Sequence, residues 1–146
     1  MLSKKTQYAL QALSFMAEQG GMEPILIAEI AQAKNIPIKF LENILLALKK
    51  AGFLESKKGK NGGYFFALPP QKIKLSSIFR TIEGPIALMP CVSLNFYEKC
   101  ADCNEDYCAI NATFVEARDA ILAVLEHKTL RDLQEGGEIP EGIEAK

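Results

Sequence analysis

The sequence predicts a mostly α-helical fold with a small β-hairpin and a long helix towards its C-terminal end. Three observations support this fold class. Apolar residues recur three and four positions apart in several stretches, which is the spacing of amphipathic helices. Two short aromatic-rich runs flank a lysine- and glycine-rich tip, the pattern of a hairpin. A further, longer apolar stripe follows an irregular segment.

The first three helices are predicted close together in the N-terminal half. Helical spacing begins at residue 4 and stops at Gly20-Gly21, which favour a turn. A short second helix covers residues 27–32, and Pro37 opens a third that runs to about residue 51. Proline is tolerated there because the first turn of a helix needs no backbone N–H donor. Two short helices joined by a tight turn form a helix-turn-helix.

A β-hairpin is predicted directly after the third helix. Residues 53–56 and 64–68 have strand-like composition, and residues 57–63 between them read Lys-Lys-Gly-Lys-Asn-Gly-Gly. A helix-turn-helix followed by such a hairpin is the plan of a winged helix, whose hairpin is called the wing. We therefore expect residues 1–70 to form a winged helix-turn-helix DNA-binding domain.

The second half of the chain is predicted to be helical apart from one loop. We expect a helix over residues 75–83, an ordered loop over 86–107, a long helix over 109–126 and a last helical turn at 129–133. Residues 71–107 would form a linking helix and a cysteine-rich sensor loop, and residues 108–133 a separate helical region. Residues 134–146 are rich in glycine and glutamate, which predicts a disordered tail.

The charge of the chain is divided between its halves. Residues 1–80 carry twelve Lys and Arg against five acidic residues, a net charge of +7, whereas residues 81–146 carry five against thirteen, a net charge of −8. A basic half of this kind favours contact with nucleic acid. No apolar run reaches the roughly twenty residues of a membrane span. The N-terminus has no signal-peptide pattern, so we expect a cytoplasmic protein without a membrane partner.

The DNA-contacting residues are predicted on the third helix and on the wing. The N-terminal part of such a helix approaches base edges in the major groove. A solvated polar face and a solubilising loop, or a surface for a protein partner, are the alternatives at this point. The predicted contacts are Lys39, Glu42, Asn43, Lys57, Lys58, Gly59, Lys60, Gly62, Gly63 and Tyr64.

The four cysteines lie within eighteen residues with the spacing C-x8-C-x2-C-x4-C. They are Cys91, Cys100, Cys103 and Cys108. Thiolates grouped in this way hold iron–sulfur clusters or tetrahedral zinc, or form a thiol–disulfide switch. A small redox enzyme is disfavoured, because there is no glycine-rich nucleotide loop and no histidine placed as a base.

Several motifs resemble one known family. The chain resembles the IscR/NsrR-type regulators of the Rrf2 family, bacterial winged-helix regulators that sense through a cluster or a small ligand, over roughly residues 1–133. The motifs that carry this resemblance are Tyr8-Ala9-Leu10, Phe40-Leu41-Glu42-Asn43, Leu48-Lys49-Lys50-Ala51-Gly52-Phe53-Leu54, Gly59-Lys60-Asn61-Gly62-Gly63-Tyr64 and Ile82-Glu83-Gly84-Pro85.

The resemblance implies a homodimer that binds a palindromic operator, with the helix after Cys108 as the dimerisation helix. It also implies a sensor of redox, iron–sulfur or nitric oxide status with an iron–sulfur cluster. The family usually offers three cysteines, and in 2Fe–2S regulators a histidine three residues after the last one. Asn111 occupies that position here, so Cys100 or Cys103 is the expected fourth ligand. The cluster can be 2Fe–2S or 4Fe–4S, with zinc as the alternative metal.

Overall fold

The computed structural model describes residues 2–135, apart from the side chain of Glu135. Its helices and strands agree with the predicted ones to within about two residues at each end, and the predicted fold class is confirmed. The α-helices are α1 (Lys4–Glu18), α2 (Ile27–Lys34), α3 (Ile38–Lys50), α4 (Leu75–Ile82), α5 (Ala109–Leu125) and α6 (Leu130–Glu135). The strands are β1 (Leu54–Lys57) and β2 (Gly63–Phe66).

The hydrophobic core lies between α1, α2, α3 and the hairpin. The apolar stripe of α3 faces inwards, and Leu41, Ile44, Leu45 and Leu48 have no exposed surface. Because these residues recur three and four positions apart, they share one face of the helix and leave the polar residues of α3 on the other. The core therefore decides which side of α3 is presented to a ligand.

The hairpin is antiparallel and is attached to the start of α2. Its register runs from Leu54 opposite Phe66 to Lys57 opposite Gly63, so Lys57 ends β1 rather than belonging to the tip. Ile25 pairs with the other edge of β2. Its backbone N–H donates to the carbonyl of Tyr64 and its carbonyl accepts the N–H of Tyr64, both at 2.9 Å. The wing is thus held to the helix-turn-helix by backbone hydrogen bonds.

The C-terminal helix α6 packs against the N-terminal part of the chain. Leu130 has no exposed surface and belongs to the same core as α1. The backbone N–H of Leu130 bonds the carbonyl of Ile73, and that of Leu75 bonds the carbonyl of Lys128, both at 3.0 Å. Helix α6 includes residues 134 and 135, which the sequence-based prediction places in the tail. Residues 136–146 of the predicted tail lie outside the described residues.

Helix α5 is the least covered of the long helices. Of its residues only Leu122 is buried, whereas Ile110, Ile121 and Val124 are 59%, 38% and 56% exposed. An apolar stripe that stays in contact with water is characteristic of an interaction surface. Across residues 2–135, no helix combines the length and the apolar character that crossing a membrane demands.

Candidate nucleic-acid interface and cysteine site

The outer face of α3 carries the predicted contact residues. Lys39, Glu42 and Asn43 are all exposed, on the side of the helix away from its buried stripe. Lys49 is exposed as well, but its Nζ donates a hydrogen bond of 2.6 Å to Oγ of Ser56 in β1. This hydrogen bond ties α3 to the wing.

The N-terminal end of α3 is braced against α1. The rings of Tyr8 and Phe40 meet edge to face, with centroids 5.6 Å apart and planes at 82°. The ammonium of Lys4 lies 5.2 Å from the centroid of the Tyr8 ring. Aromatic pairs in this geometry contribute about 0.5–1.5 kcal/mol beyond their buried area. The brace fixes the position of the helix end that carries Lys39.

The wing separates into a packed base and an exposed basic part, which comprises the end of β1 and the tip. Lys57, Lys58, Gly59 and Lys60 are exposed, which leaves three ammonium groups facing water. The pair Gly62-Gly63 is buried or half-buried at the base.

The two base glycines have packing roles. A side chain at Gly62 would collide with the carbonyl of Lys57, and one at Gly63 with the carbonyl of Ile25. Gly63 also has a φ of +141°, a conformation that favours glycine. Tyr64 is half-buried and packs against the core. The predicted contacts Gly62, Gly63 and Tyr64 therefore shape the wing, while the lysines face outwards.

The four cysteines lie in the segment that joins α4 to α5. All four are free thiols. Cys91 is buried on a short 3-10 turn over Pro90–Val92, whereas Cys100 and Cys103 are half-buried. Cys108 is the N-cap of α5, where its Sγ accepts a hydrogen bond of 3.4 Å from the backbone N–H of Asn111. The loop thus brings each predicted ligand close to the start of α5.

Cys103 lies beside two other cysteines. Hydrogen bonding to Cys100, burial, and hydrogen bonding to Cys108 raise the pKa of Cys103 to about 12. The pKa of Cys108 is lowered, chiefly because its sulfur accepts the backbone N–H of Asn111. Cys108 is therefore the more readily ionised of the pair, and Cys103 the donor.

Cys91 is joined to this group through Asn111. The side-chain Nδ2 of Asn111 donates to Sγ of Cys91 at 3.5 Å, while its backbone N–H donates to Sγ of Cys108. Arg118 holds the same turn, since its Nη1 donates to the carbonyl of Val92 at 2.6 Å. The sequence-based prediction treats Asn111 only as the residue at the position of an absent ligand, and Arg118 is not among its candidates.

Glu105 braces the other side of the loop. Its carboxylate accepts the backbone N–H of Cys100 at 2.8 Å and the hydroxyl of Tyr97 at 3.0 Å. The hydrogen bond to Glu105 raises the pKa of Tyr97, since it stabilises the protonated phenol. Neither contact has a signal in the spacing of the residues, because both depend on how the loop folds back on itself.

The donor chemistry suits a thiolate-bound metal centre. Four cysteine thiols in one loop are the ligand set of iron–sulfur clusters and of tetrahedral zinc. Cys91 and Cys100 line one pocket of about 160 Å³. Over residues 2–135, however, no three His, Cys, Asp or Glu side chains are arranged so that they could hold a metal ion. The residue types therefore suit a metal centre, but the described side chains are not arranged around one.

Fold and surface together define a winged-helix DNA-binding protein with a cysteine-rich segment between its DNA-binding part and its long helix. The family described as Rrf2, "Iron-dependent Transcriptional regulator", matches residues 2–136. The chain belongs to the Rrf2 family of transcription regulators. Like its relatives it is a regulator and not an enzyme.

Similar proteins extend over nearly the whole chain. An rrf2-like HTH-type transcriptional regulator of Rhodobacter capsulatus is 37% identical over 141 residues, 94% of either chain. The regulator NsrR of Geobacillus kaustophilus is 32% identical and covers 92% of this chain and 89% of its own. The structure of CymR, the global cysteine regulator of Bacillus subtilis, has a TM-score of 0.78 at 30% identity, covering 94% of this chain and 98% of its own.

Proposed function

We propose that this chain is a cytoplasmic, homodimeric transcription regulator that senses redox, iron–sulfur or nitric oxide status through a cluster bound by its cysteines. The observation that carries the proposal is the position of the four thiols. They lie in the segment between the basic winged helix and the exposed apolar helix α5. A change in this segment therefore acts on both the DNA-binding part and the proposed dimer contact.

The winged helix would contact a palindromic operator. Lys39, Glu42 and Asn43 on the outer face of α3 can donate to or accept from base edges in the major groove. The exposed wing lysines can neutralise backbone phosphates beside it. Two-fold symmetry would place the two copies of α3 about one helical turn apart on the DNA.

The dimer would form through α5. An apolar stripe of Ile110, Ile121 and Val124 is exposed along this helix. In a two-fold symmetric dimer, the same stripe of a second copy would pack against it. Since Cys108 caps the start of α5, the cysteine segment would adjoin this interface. The state of the thiols can then alter the spacing of the two winged helices.

Cys91, Cys100, Cys103 and Cys108 would hold the cluster. An iron–sulfur cluster supplies electron transfer and a target for small oxidants when it is bound. The residues of the chain set its surroundings: Asn111 donates to two of the sulfurs, and Glu105 orders the backbone at Cys100. A bound group shifts the DNA-binding equilibrium only by its different affinity for the two arrangements of the loop.

Metal analysis tests the sensing part of the proposal. The full chain, purified without oxygen, should contain iron and inorganic sulfide and give a cluster signal by electron paramagnetic resonance after reduction or oxidation. Its affinity for duplex DNA should fall steeply with salt. Zinc without iron, in stoichiometric amount, would replace the cluster by a zinc site. DNA binding that does not depend on salt would favour a protein-interaction module.

A second candidate, a metal-free thiol–disulfide switch, is favoured by the contact between Cys103 and Cys108. The two thiols would give up two protons and two electrons to a disulfide oxidant, which is reduced to two thiols as the new S–S bond forms. Metal-free protein that shows this crosslink by mass spectrometry, together with a changed DNA affinity, would support the switch. Unchanged affinity after complete crosslinking would exclude it.

A further inference from the structure

We propose that Asn111 is a positioning residue of the cysteine site, which holds the sulfurs of Cys91 and Cys108 in place without itself ligating the metal. The inference rests on the proposed function, because it assumes that these thiols bind a metal centre. It differs from that function in assigning a role to a residue that is not among the expected ligands.

The side-chain amide and the backbone N–H of Asn111 contact two different cysteines. The Asn111 side chain donates to Cys91 at 3.5 Å, and its backbone N–H donates to Cys108 at 3.4 Å. Cys91 and Cys108 are seventeen positions apart in the chain, at opposite ends of the loop. Asn111 therefore closes the loop at its two ends.

The side chain presents its donor, and not its oxygen, to the sulfur. A thiolate is an acceptor, and the amide NH₂ is the donor group of asparagine. With Nδ2 directed at Cys91, the ligand-competent oxygen Oδ1 points elsewhere. Hydrogen bonds to ligating sulfurs orient them and raise the reduction potential of the cluster they hold. This chemistry explains how an asparagine can serve where a ligand is absent.

Arg118 makes a second attachment to the turn that carries Cys91. It lies seven residues, or about two helical turns, after Asn111, so both side chains project from the same face of α5. Its Nη1 donates to the carbonyl of Val92, and its side chain is only 12% exposed. The turn is thus fixed to α5 at two points, whereas Cys100 and Cys103 are attached through the loop.

The consequence is a division of the four thiols into two kinds. Cys91 and Cys108 are held by α5, and the remaining ligands must come from Cys100 and Cys103. Since the described side chains do not close around an ion, metal binding requires the four sulfurs to come closer together. A site built in this way binds metal more weakly when the fixed pair is loosened.

The experiment measures cobalt(II) affinity of the reduced, metal-free full chain by competition with a chelator. Asn111→Ala should lower the affinity about 10- to 100-fold, the usual effect of removing a hydrogen bond from a ligand. Alanine is a good helix former, so α5 should persist, which circular dichroism will verify. The matched control is Asn95→Ala, because Asn95 is exposed in the same loop. It should bind cobalt as the wild type does.

The outcomes separate the inference from the proposed function. Wild-type protein that binds neither iron nor cobalt would remove the metal site itself. Normal wild-type binding with an unchanged Asn111→Ala variant would overturn the positioning role alone, and so would an equal loss in Asn95→Ala. X-ray absorption showing an oxygen ligand that disappears in Asn111→Ala would make Asn111 a ligand instead. A reconstituted Asn111→Ala cluster should also have a more negative reduction potential.

Discussion

The DNA-binding body, residues 2–83 with α6, and the cysteine segment, residues 84–108, are ordered by different kinds of interaction. The body buries apolar side chains from several helices and the hairpin in one core. In the cysteine segment only Cys91, Val92 and Ser93 are buried. The other interactions that order it are hydrogen bonds to sulfur, carboxylate and carbonyl groups. The body is therefore held mainly by apolar burial, and the segment mainly by hydrogen bonds.

The largest effect on stability is expected from a substitution that creates a cavity in the core of the body. Leu45 has no exposed surface, so Leu45→Ala should lower the free energy of unfolding by about 2–5 kcal/mol. Cys103→Ser in the metal-free protein should change it by less than about 1 kcal/mol, because the half-buried thiol contributes little packing. Urea denaturation of both variants, with reductant and chelator, measures the contrast. An equal loss of unfolding free energy in the two variants would show that the segment contributes as much to stability as the core of the body does.

The next effect concerns DNA affinity and leaves stability unchanged. Lys58→Ala with Lys60→Ala should reduce the salt slope of binding by about one unit per lysine, and the affinity by roughly fivefold per lysine near 0.15 M salt. All duplex sequences should be affected alike, because phosphates carry no sequence information. Fluorescence anisotropy over a range of salt concentrations measures both quantities.

The matched control for the wing removes two exposed lysines outside the winged helix, Lys99 and Lys128. Their replacement by alanine should leave the slope as it is. A similar loss in the control would mean that net charge, rather than the wing, determines binding. Glu42→Ala, by contrast, should change base preference at one position of each half-site with little change in slope.

A smaller effect is expected where the body meets the cysteine segment. The carboxylate of Glu83, at the end of α4, accepts hydrogen bonds from Ser3 and Thr6 at the start of α1. These bonds lower the pKa of Glu83 below its usual 4.5. Because the folded state favours the carboxylate, its contribution is complete above the usual pKa and is lost as the pH falls through the lowered value.

Glu83→Gln should therefore cost about 1 kcal/mol at pH 7, a modest value for a half-buried group in contact with water. The difference from the wild type should shrink as the pH falls from the usual pKa through the lowered pKa of Glu83, because its carboxylate is then protonated and both side chains are neutral. Urea denaturation at several pH values measures this convergence. Glu23→Gln, a change at an exposed carboxylate, is the matched control. A gap that persists at low pH would assign the loss to packing.

Local patterns predicted most of the fold and selected the candidate site residues. The stripe Leu41, Ile44, Leu45 and Leu48 predicted both α3 and the direction of its polar face, because helical spacing alone places those residues together. The contacts of Asn111 and Glu83 had no such signal. Each joins residues that are far apart in the chain, and only packing of the intervening elements determines whether they meet.

The sequence by itself determined the helices, the hairpin with its basic tip, and the grouping of four thiols, since each depends on residues close together along the chain. The tertiary structure decided what those residues do. It directed Gly62 and Gly63 into the base of the wing, brought Leu130 into the core, and placed Asn111 between Cys91 and Cys108. The physical reason is that spacing sets which face a residue occupies, but close packing selects its partner.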